Sequence, residues 1–469
     1  MALPSPTELE QAPRCISATQ AAAIVAGNMI GVGIFLLPAQ VASHAPTTGS
    51  FLLVWALGGA WALCGALCLG ELGAMLPRAG GDYAFLREAY GRDLACTYGW
   101  LSLLITFPGS LAVMASLTMQ YQAPTLFGDW MSTQLLQPGD GSWSVRASQG
   151  VAVLVLALLT ALNHRTTRGS AWSQVAVTAV PLAMLLVGAA GLVTLSRASA
   201  PVPVEVTGQP GLGALGLAML PVYFAYAGWN AAAYVGGEIK HPARNLPRAL
   251  LLGTGAVTAL YLLVCLAYTR VVPVQDMPGT FSVGAAAAHA LLGETGGFAV
   301  DALIVIAVLG SLNATILTGS RVVYALSVDG LFPRWAANLH PRWRTPARSL
   351  WIQCALASAF ILYGDVEPVL DVTVSAMVLM SMLTVGALPV LRVRRPDTPR
   401  LFRVPLYPLL PAAYIVIGGV VLWASMLHSP WRGGMGLGLA GLIWLARHVY
   451  ARQRVPRDAT PAGPTSRTF

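Results

Sequence analysis

The first long apolar segment of the chain contains the stretch Gly27-Asn28-Met29-Ile30-Gly31-Val32-Gly33-Ile34-Phe35. Three glycines weaken a helix at this point, because each one costs about 1 kcal/mol of helix stability relative to alanine. Backbone groups freed by such a break are tolerated at membrane depth only where they are buried in protein or line a cavity. The stretch therefore predicts a membrane helix that is broken at a ligand site.

A second interruption of the same kind lies in the sixth apolar segment. Residues 224 to 230 read Phe-Ala-Tyr-Ala-Gly-Trp-Asn. Paired interruptions in corresponding halves of a chain indicate the binding site of a secondary transporter. The two breaks together predict one site where two discontinuous helices meet.

The composition is that of an integral membrane protein. Of the 469 residues, 56% are hydrophobic and 10% are charged, and the mean hydropathy is +0.65. This leaves too little polar surface for a soluble fold. Twelve apolar segments are long enough to span a bilayer. They cover residues 18–42, 49–74, 96–120, 148–163, 170–195, 212–235, 248–272, 297–325, 347–363, 366–391, 406–427 and 431–450. We therefore expect an all-α integral membrane protein with twelve transmembrane helices.

The basic residues predict the orientation, since Lys and Arg are retained on the cytoplasmic side. With both termini inside, 24 of the 28 basic residues lie on the inner side, and only Arg146, Arg197, Arg270 and Arg432 lie outside. The arginines are scattered over short loops, so the net charge of +9 does not indicate nucleic-acid binding. The chain has only one lysine, Lys240, which suggests a GC-rich bacterial genome and hence the cell (inner) membrane.

Other classes of membrane protein lack support in the sequence. No Gly-Lys-Ser/Thr phosphate-binding loop and no His-Glu-x-x-His zinc motif occurs, so we expect neither an enzyme nor an ATP-driven pump, and no metal or cofactor. None of the six cysteines lies in a predicted outer loop, so no disulfide framework is expected. A channel is a less favoured alternative, because it needs a continuous polar lining instead of two local breaks.

Three strings on the predicted inner loops carry a family resemblance. They read LPRAGGDYAFL at residues 76–86, EIKHPARNLPR at 238–248 and DGLFPRW at 329–335. Together with the two breaks, they resemble the amino acid, polyamine and organocation transporter family, especially bacterial permeases related to the L-type amino acid transporters. The likeness covers residues 15 to 410.

This resemblance implies the leucine-transporter fold with 5+5 inverted repeats. The first repeat would be residues 18–195 (helices 1 to 5) and the second 212–391 (helices 6 to 10), with helices 11 and 12 at 406–450. Residues 1–17 and 451–469 would be cytoplasmic tails. The Ala-rich stretch 281–292 is either a short outer helix or a plain loop.

A free amino acid is a zwitterion, and burying it requires partners for both of its charges. The N–H groups of the helix half that starts near Gly31 and Gly33 suit a carboxylate, and the carbonyl groups that end the first halves of helices 1 and 6 suit an ammonium group. The alternative is that the glycines only let helices pack closely. The predicted substrate site consists of Asn28, Met29, Ile30, Gly31, Val32, Gly33, Ser110, Phe224, Ala227, Gly228, Asn230 and Thr315.

The predicted site contains no carboxylate. Arginine antiporters of the family carry a glutamate where this chain has Asn230 and a helix 8 tryptophan where it has Thr315. A cationic side chain would therefore lack a partner, at a cost of several kcal/mol. We expect a secondary transporter or exchanger of neutral L-amino acids, with a cationic amino acid or polyamine antiporter as the alternative. Phe224 and Trp229 are candidate gates.

The partners expected from the sequence are the amino acid substrate and the lipid bilayer, and no nucleic acid. In animal L-type transporters, a cysteine in the outer loop after helix 3 links the chain to a glycoprotein partner. The corresponding loop here, 121–147, has no cysteine. We therefore expect no disulfide-linked heavy chain.

Overall fold

A computed structural model of the chain describes residues 16–76, 81–137, 144–165, 211–280, 282–343 and 345–453, together with Arg14, Gly188 and Gly191. Predicted helix 5, at 170–195, lies outside the described residues except for Gly188 and Gly191. Most of the two predicted tails lies outside them as well.

The first half of the described chain is helical apart from one short hairpin. Its helices are α1 (Ala18–Met29), α2 (Gly33–Leu36), α3 (Pro38–His44), α4 (Thr48–Met75), α5 (Asp82–Tyr90), α6 (Arg92–Leu101), α7 (Phe107–Tyr121), α8 (Ala123–Phe127) and α9 (Ala147–Arg165). Strands β1 (Gln134–Leu136) and β2 (Val145–Arg146) pair antiparallel, with Gln134 opposite Arg146.

The second half is also mostly helical in its described residues. Its helices are α10 (Leu212–Tyr226), α11 (Ala231–Tyr234), α12 (Pro242–Val271), α13 (Val283–Val328), α14 (Ala347–Tyr363), α15 (Val366–Arg394), α16 (Leu409–His428) and α17 (Pro430–Gln453). Within the described part of the chain, seven helices are long and apolar enough to cross a membrane. They are Thr48–Met75, Arg92–Tyr121, Ala147–Arg165, Pro242–Val271, Gly293–Val328, Val366–Arg394 and Leu409–His428. The chain is a multi-pass helical membrane protein.

The first predicted helix is broken, as the glycines indicate. A capping box of Ser17 and Gln20 begins α1, which supplies partners to two N–H groups that a helix start leaves unpaired. The helix ends at Met29, where Ile30 turns to an extended conformation with φ −76° and ψ 101°. A helical path resumes at Gly33 and is interrupted once more before Pro38, which lacks the N–H needed to continue the helix bonds.

The third predicted helix contains a π-helical turn, Ser102–Thr106, between α6 and α7. Phe107 donates its N–H to the carbonyl of Ser102, five residues earlier. Pro108 follows directly and has no N–H, so the ordinary helix ladder is interrupted at this point. The wider turn shifts the side chains of Thr106 and Phe107 around the helix axis.

Of the stretch 281–292, predicted as a short outer helix or a loop, residues 283–292 are helical. They form the first turns of α13, which bends at Gly293 with φ +69°. That positive φ is readily adopted by glycine and rarely by other residues.

The C-terminal end of α4 is fixed by a buried carboxylate. Glu71 is fully buried and accepts two hydrogen bonds from the Arg392 guanidinium, at 2.9 and 2.5 Å. Arg400 lies 3.5 Å away, and the Val404 N–H donates at 2.7 Å. These bonds tie α4 to the end of α15 and to the loop that follows it.

Candidate substrate site

The two predicted breaks lie against each other. In the second break, α10 ends at Tyr226 and α11 begins at Ala231, with Gly228 at φ +99° between them. A Cβ atom on Gly228 would lie 2.8 Å from the backbone carbonyl of Asn28. Glycine is therefore required here both by the left-handed backbone and by the close approach of the other break.

The glycines of the first break have packing roles. A Cβ atom on Gly33 would lie 2.5 Å from the Cα of Ala225, and one on Gly31 would lie 3.1 Å from the hydroxyl of Ser311. These contacts support the close-packing interpretation that the sequence left open. They hold α2 against α10, and the break against α13.

Several carbonyl groups at the breaks already have donors. The hydroxyl of Tyr261 on α12 donates to the carbonyl of Met29 at 2.6 Å and to that of Ala225 at 3.2 Å. Ser311 donates to the carbonyl of Ile30 at 2.7 Å. Tyr261 thus bridges the ends of α1 and α10. The sequence analysis missed it, because a lone tyrosine in an apolar helix carries no motif.

A cavity of about 130 Å³ lies between the breaks. All the residues predicted for the substrate site line it except Ile30. The prediction for Ile30 is not supported, since its side chain is buried in the core and its carbonyl is bonded to Ser311. Thr315 lines the cavity while its hydroxyl bonds back to the carbonyl of Ser311 on its own helix.

Helices α7 and α15 supply lining residues that sequence reasoning missed. Phe107 and Met114 come from α7, which starts after the π-helical turn, and Met377, Met380 and Ser381 come from α15. From α7, the sequence analysis named only Ser110. No motif singles out α15, whose methionines look like ordinary core residues.

A carboxylate does reach the cavity, so the expectation of a site without one is wrong. Asp82, the first residue of α5, lines the cavity and is 5% exposed. Its Oδ2 accepts from the amide of Asn230 at 2.8 Å, from the hydroxyl of Tyr234 at 3.2 Å and from that of Tyr98 at 3.4 Å.

The glycine before Asp82 explains how α5 comes this close. Gly81 has φ +53°, and a Cβ atom on it would lie 2.6 Å from the ring of Tyr234. The Gly80-Gly81-Asp82 string was available in the sequence as a family signature. Its distance along the chain from both breaks concealed its place in the site.

The two candidate gates differ in their surroundings. Phe224 lines the cavity and is 7% exposed. Trp229 also lines it, but its ring packs against Tyr414 at 6.1 Å between centroids and lies over Gly65 of α4. These ring contacts favour a packing role for Trp229.

The described part of the chain holds no group of three or more His, Cys, Asp or Glu side chains that could bind a metal ion. The residues that line the cavity offer hydrogen-bonding groups, the backbone dipoles of the two breaks and the carboxylate of Asp82.

Comparison with known proteins agrees with this geometry. A profile of the family described as "Amino acid permease" matches residues 16–433. The mouse (Mus musculus) Asc-type amino acid transporter 1 is 30% identical over 428 residues, which are 90% of this chain and 78% of the relative. The mouse large neutral amino acids transporter small subunit 2 is 29% identical, with the same coverage. The mouse b(0,+)-type amino acid transporter 1 is 28% identical over 93% of this chain and 89% of its own length. The chain belongs to the amino acid permease family.

Proposed function

We propose that this chain is a secondary transporter that exchanges or takes up free amino acids by alternating access. The observation that carries the proposal is the pair of broken helices, whose breaks touch at Gly228 and Asn28 beside a cavity. Broken helices in this arrangement bind small charged substrates at the middle of a membrane. The names of the three relatives support amino acids as the substrate class.

The zwitterion fits the cavity in one orientation. The first N–H groups of the helical path that starts at Gly33 have no acceptor in their own helix, so they suit the carboxylate. The carbonyl groups of Met29 and Ala225 suit the ammonium group, because each oxygen keeps a second lone pair beyond the one used by Tyr261.

The substrate we propose is a neutral L-amino acid. The side chains of Phe107, Met114, Phe224 and Met377 make much of the lining apolar. Asp82 favours the alternative, a cationic amino acid or polyamine antiporter. However, its Oδ2 is already bonded to Asn230 and Tyr234, and its Oδ1 is buried.

The finer architecture belongs to the same proposal. It comprises twelve transmembrane helices, two inverted repeats of five helices, insertion in the inner membrane with both termini in the cytoplasm, and no disulfide-linked heavy chain.

The two sides of the cavity differ in exposure. Asn28, Ala227 and Gly228 are partly exposed, whereas Gly33, Ala225 and Phe224 are buried. The cavity is thus more open on the side of α1 and α11, which is the cytoplasmic side in this topology.

Counterflow in liposomes tests the proposal. The purified protein is reconstituted in vesicles loaded with one unlabelled amino acid, and the entry of a labelled amino acid is followed. Saturable entry that depends on an internal amino acid supports an exchanger, whereas entry that never saturates contradicts the proposal and indicates a channel. Competition by alanine, leucine, arginine and putrescine then separates the substrate classes. If arginine or putrescine competes better than every neutral amino acid, the chain is a cationic amino acid or polyamine antiporter and not a transporter of neutral amino acids.

A further inference from the structure

The Asp82 carboxylate has an unusual environment for a buried acid. Its Oδ1 is buried and makes no hydrogen bond, and within the described residues Asp82 takes part in no ion pair. Burying an ionised carboxylate without a cation is costly, and such groups respond by holding a proton. Asp82 lies outside the membrane-spanning helices, and burial raises its pKa to about 6.

The described groups around Asp82 are hydrogen-bond donors, neutral tyrosines or basic groups that are engaged elsewhere. Tyr98 on α6 and Asn230 and Tyr234 at the second break are its hydrogen-bond partners. On its own helix, Arg87 pairs with Asp329 at 2.6 Å, and on α13 Arg321 lies 3.8 Å from Glu238. The nearest described basic groups on these two elements are thus engaged elsewhere. Tyr223 and Tyr414 also lie near Asp82. The basic groups on the two helices that pack against α5 have other partners, since Arg92 bonds to the carbonyl of Asp329 and Arg392 to Glu71.

The oxygen atoms around Asp82 have room for one more hydrogen. The Tyr98 and Tyr234 hydroxyls are 2.8 Å apart, and with Oδ2 they form a triangle whose other edges are 3.2 and 3.4 Å. With Asp82 ionised, the two hydroxyls provide two hydrogens for three edges. A proton on Oδ2 provides the third, so every oxygen in the triangle then donates once and accepts once. The same geometry accommodates both protonation states by rotation of the hydroxyls.

Asn230 connects this triangle to the substrate. Its amide donates to Oδ2 of Asp82 at 2.8 Å, and Asn230 itself lines the cavity at the second break. An amino acid bound at that break brings its charges close to Asn230 and changes the electrostatic environment of the carboxylate. Two binding events that share a partner in this way have linked affinities.

We propose that Asp82 is a proton-binding site of the substrate cavity and that its protonation is linked to occupation of the cavity by an amino acid. The second part rests on the proposed function, whereas the first part does not. Transport would then be sensitive to pH across the range in which Asp82 titrates.

The first test follows the carboxyl group without any substrate. Infrared difference spectra of the purified protein, recorded from about pH 4 to about pH 8, report protonated carboxyl groups by their C=O stretching band. We expect the carboxyl band of the wild type to contain a component that titrates near the midpoint of this range and is absent in Asp82→Asn. In the control Asp329→Asn this component is expected to remain, because Asp329 is paired with Arg87 outside the cavity. An unchanged band in Asp82→Asn overturns the proposal.

A second variant applies if Asp82→Asn does not fold. Tyr98→Phe combined with Tyr234→Phe keeps both rings and removes both hydroxyls. Removing the hydroxyls takes more stabilisation from the ionised form of Asp82 than from its protonated form, since hydrogen bonds to charged groups are the stronger ones. We expect the midpoint of the band to move to higher pH, and an unmoved midpoint contradicts the proposal.

The linkage is tested in a weakly buffered solution with a pH-indicator dye. Alanine and leucine are added separately to the wild type and to Asp82→Asn, and binding is followed in parallel by thermal stabilisation. We expect binding in the wild type to be accompanied by uptake or release of protons, and binding in the variant to occur without it. Proton exchange that persists in Asp82→Asn overturns the linkage. Failure of both amino acids to bind either protein counts against the proposed function, and the infrared titration still decides the first part.

Discussion

At the scale of single residues, the contact between Asp82 and Asn230 predicts the effect of a substitution at Asn230. Asn230→Asp places a second carboxyl group at the 2.8 Å contact with Oδ2 of Asp82. Two carboxyl groups this close cannot both ionise at neutral pH, so they share one proton. We expect counterflow of neutral amino acids to fall by at least about tenfold at neutral pH, since one lost charged hydrogen bond in the network is worth about 1.5 to 3 kcal/mol.

The matched control for this substitution is Asn28→Asp. Asn28 also lines the cavity, but its amide donates to the carbonyl of Ile24 at 2.9 Å and not to Asp82. Counterflow is measured for both variants across the same pH range. If both lose activity with the same pH profile, added negative charge alone explains the effect, and the pair with Asp82 has no special part in it.

Asp82 also predicts how the stability of the protein depends on pH. Burial raises its pKa from 3.8 to about 6, so between these values the folded state binds a proton that the unfolded chain releases. The free energy of unfolding therefore decreases as the pH rises through this window. Asp82→Asn removes this pH-dependent loss of unfolding free energy. At about 1.36 kcal/mol for each pH unit, the loss amounts to at most about 3 kcal/mol.

Thermal unfolding in detergent at about pH 4 and about pH 8 measures this effect. We expect the melting temperature of Asp82→Asn, compared with that of the wild type at the same pH, to be more favourable at the higher pH than at the lower pH. The same difference between the two proteins at both pH values would show that Asp82 does not titrate in the folded state.

At the scale of elements, the contact between the two breaks depends on the backbone of Gly228. Alanine there must adopt φ +99° and bring its Cβ to 2.8 Å from Asn28. The left-handed conformation alone costs about 1 to 2 kcal/mol, and the contact adds to this. We expect Gly228→Ala to abolish substrate-induced thermal stabilisation and counterflow. Gly419→Ala on α16 is the control, because nothing lies within 4 Å of its added Cβ. Normal counterflow by Gly228→Ala would show that the breaks need not touch.

How far the sequence predicts the elements depends on how local their causes are. The breaks at Ile30 and Gly228 follow from nearby glycines, so they were predictable, and all the proposed site residues but Ile30 line the cavity. Asp82 is separated from Asn230 by 148 positions, and only the tertiary fold, which brings the start of α5 to Tyr234, places them together. Carboxylates at helix ends are usually solvated, yet Glu71 is fully buried, because Arg392 at the end of α15 and Arg400 in the loop after it, both more than 300 positions away, supply its partners.

At the scale of the whole molecule, the segments that the proposed topology places inside the cell are connected to one another. The N–H of Ile16, just before α1, donates to the carbonyl of Glu238 at 3.0 Å, and the N–H of Lys240 donates to the carbonyl of Ile16 at 2.9 Å. Arg87 on α5 contacts Asp329 at the end of α13. The start of one broken helix is thus bonded to the segment that follows the other, an arrangement that suits coupled movement of the two in the proposed alternating access.

The single lysine makes the predicted orientation testable. Lys240 is exposed, and it follows α11 on the face where most of the arginines lie in the predicted topology. Because that face is cytoplasmic by the distribution of basic residues, a membrane-impermeant amine reagent should modify Lys240 in inverted membrane vesicles and leave it unmodified in intact cells. Peptide mass spectrometry identifies the modified residue and separates it from the N-terminal amine. Lys240→Arg serves as the control, because it keeps the charge and removes the reactive amine. Modification in intact cells would place this loop outside and reverse the side from which the cavity opens.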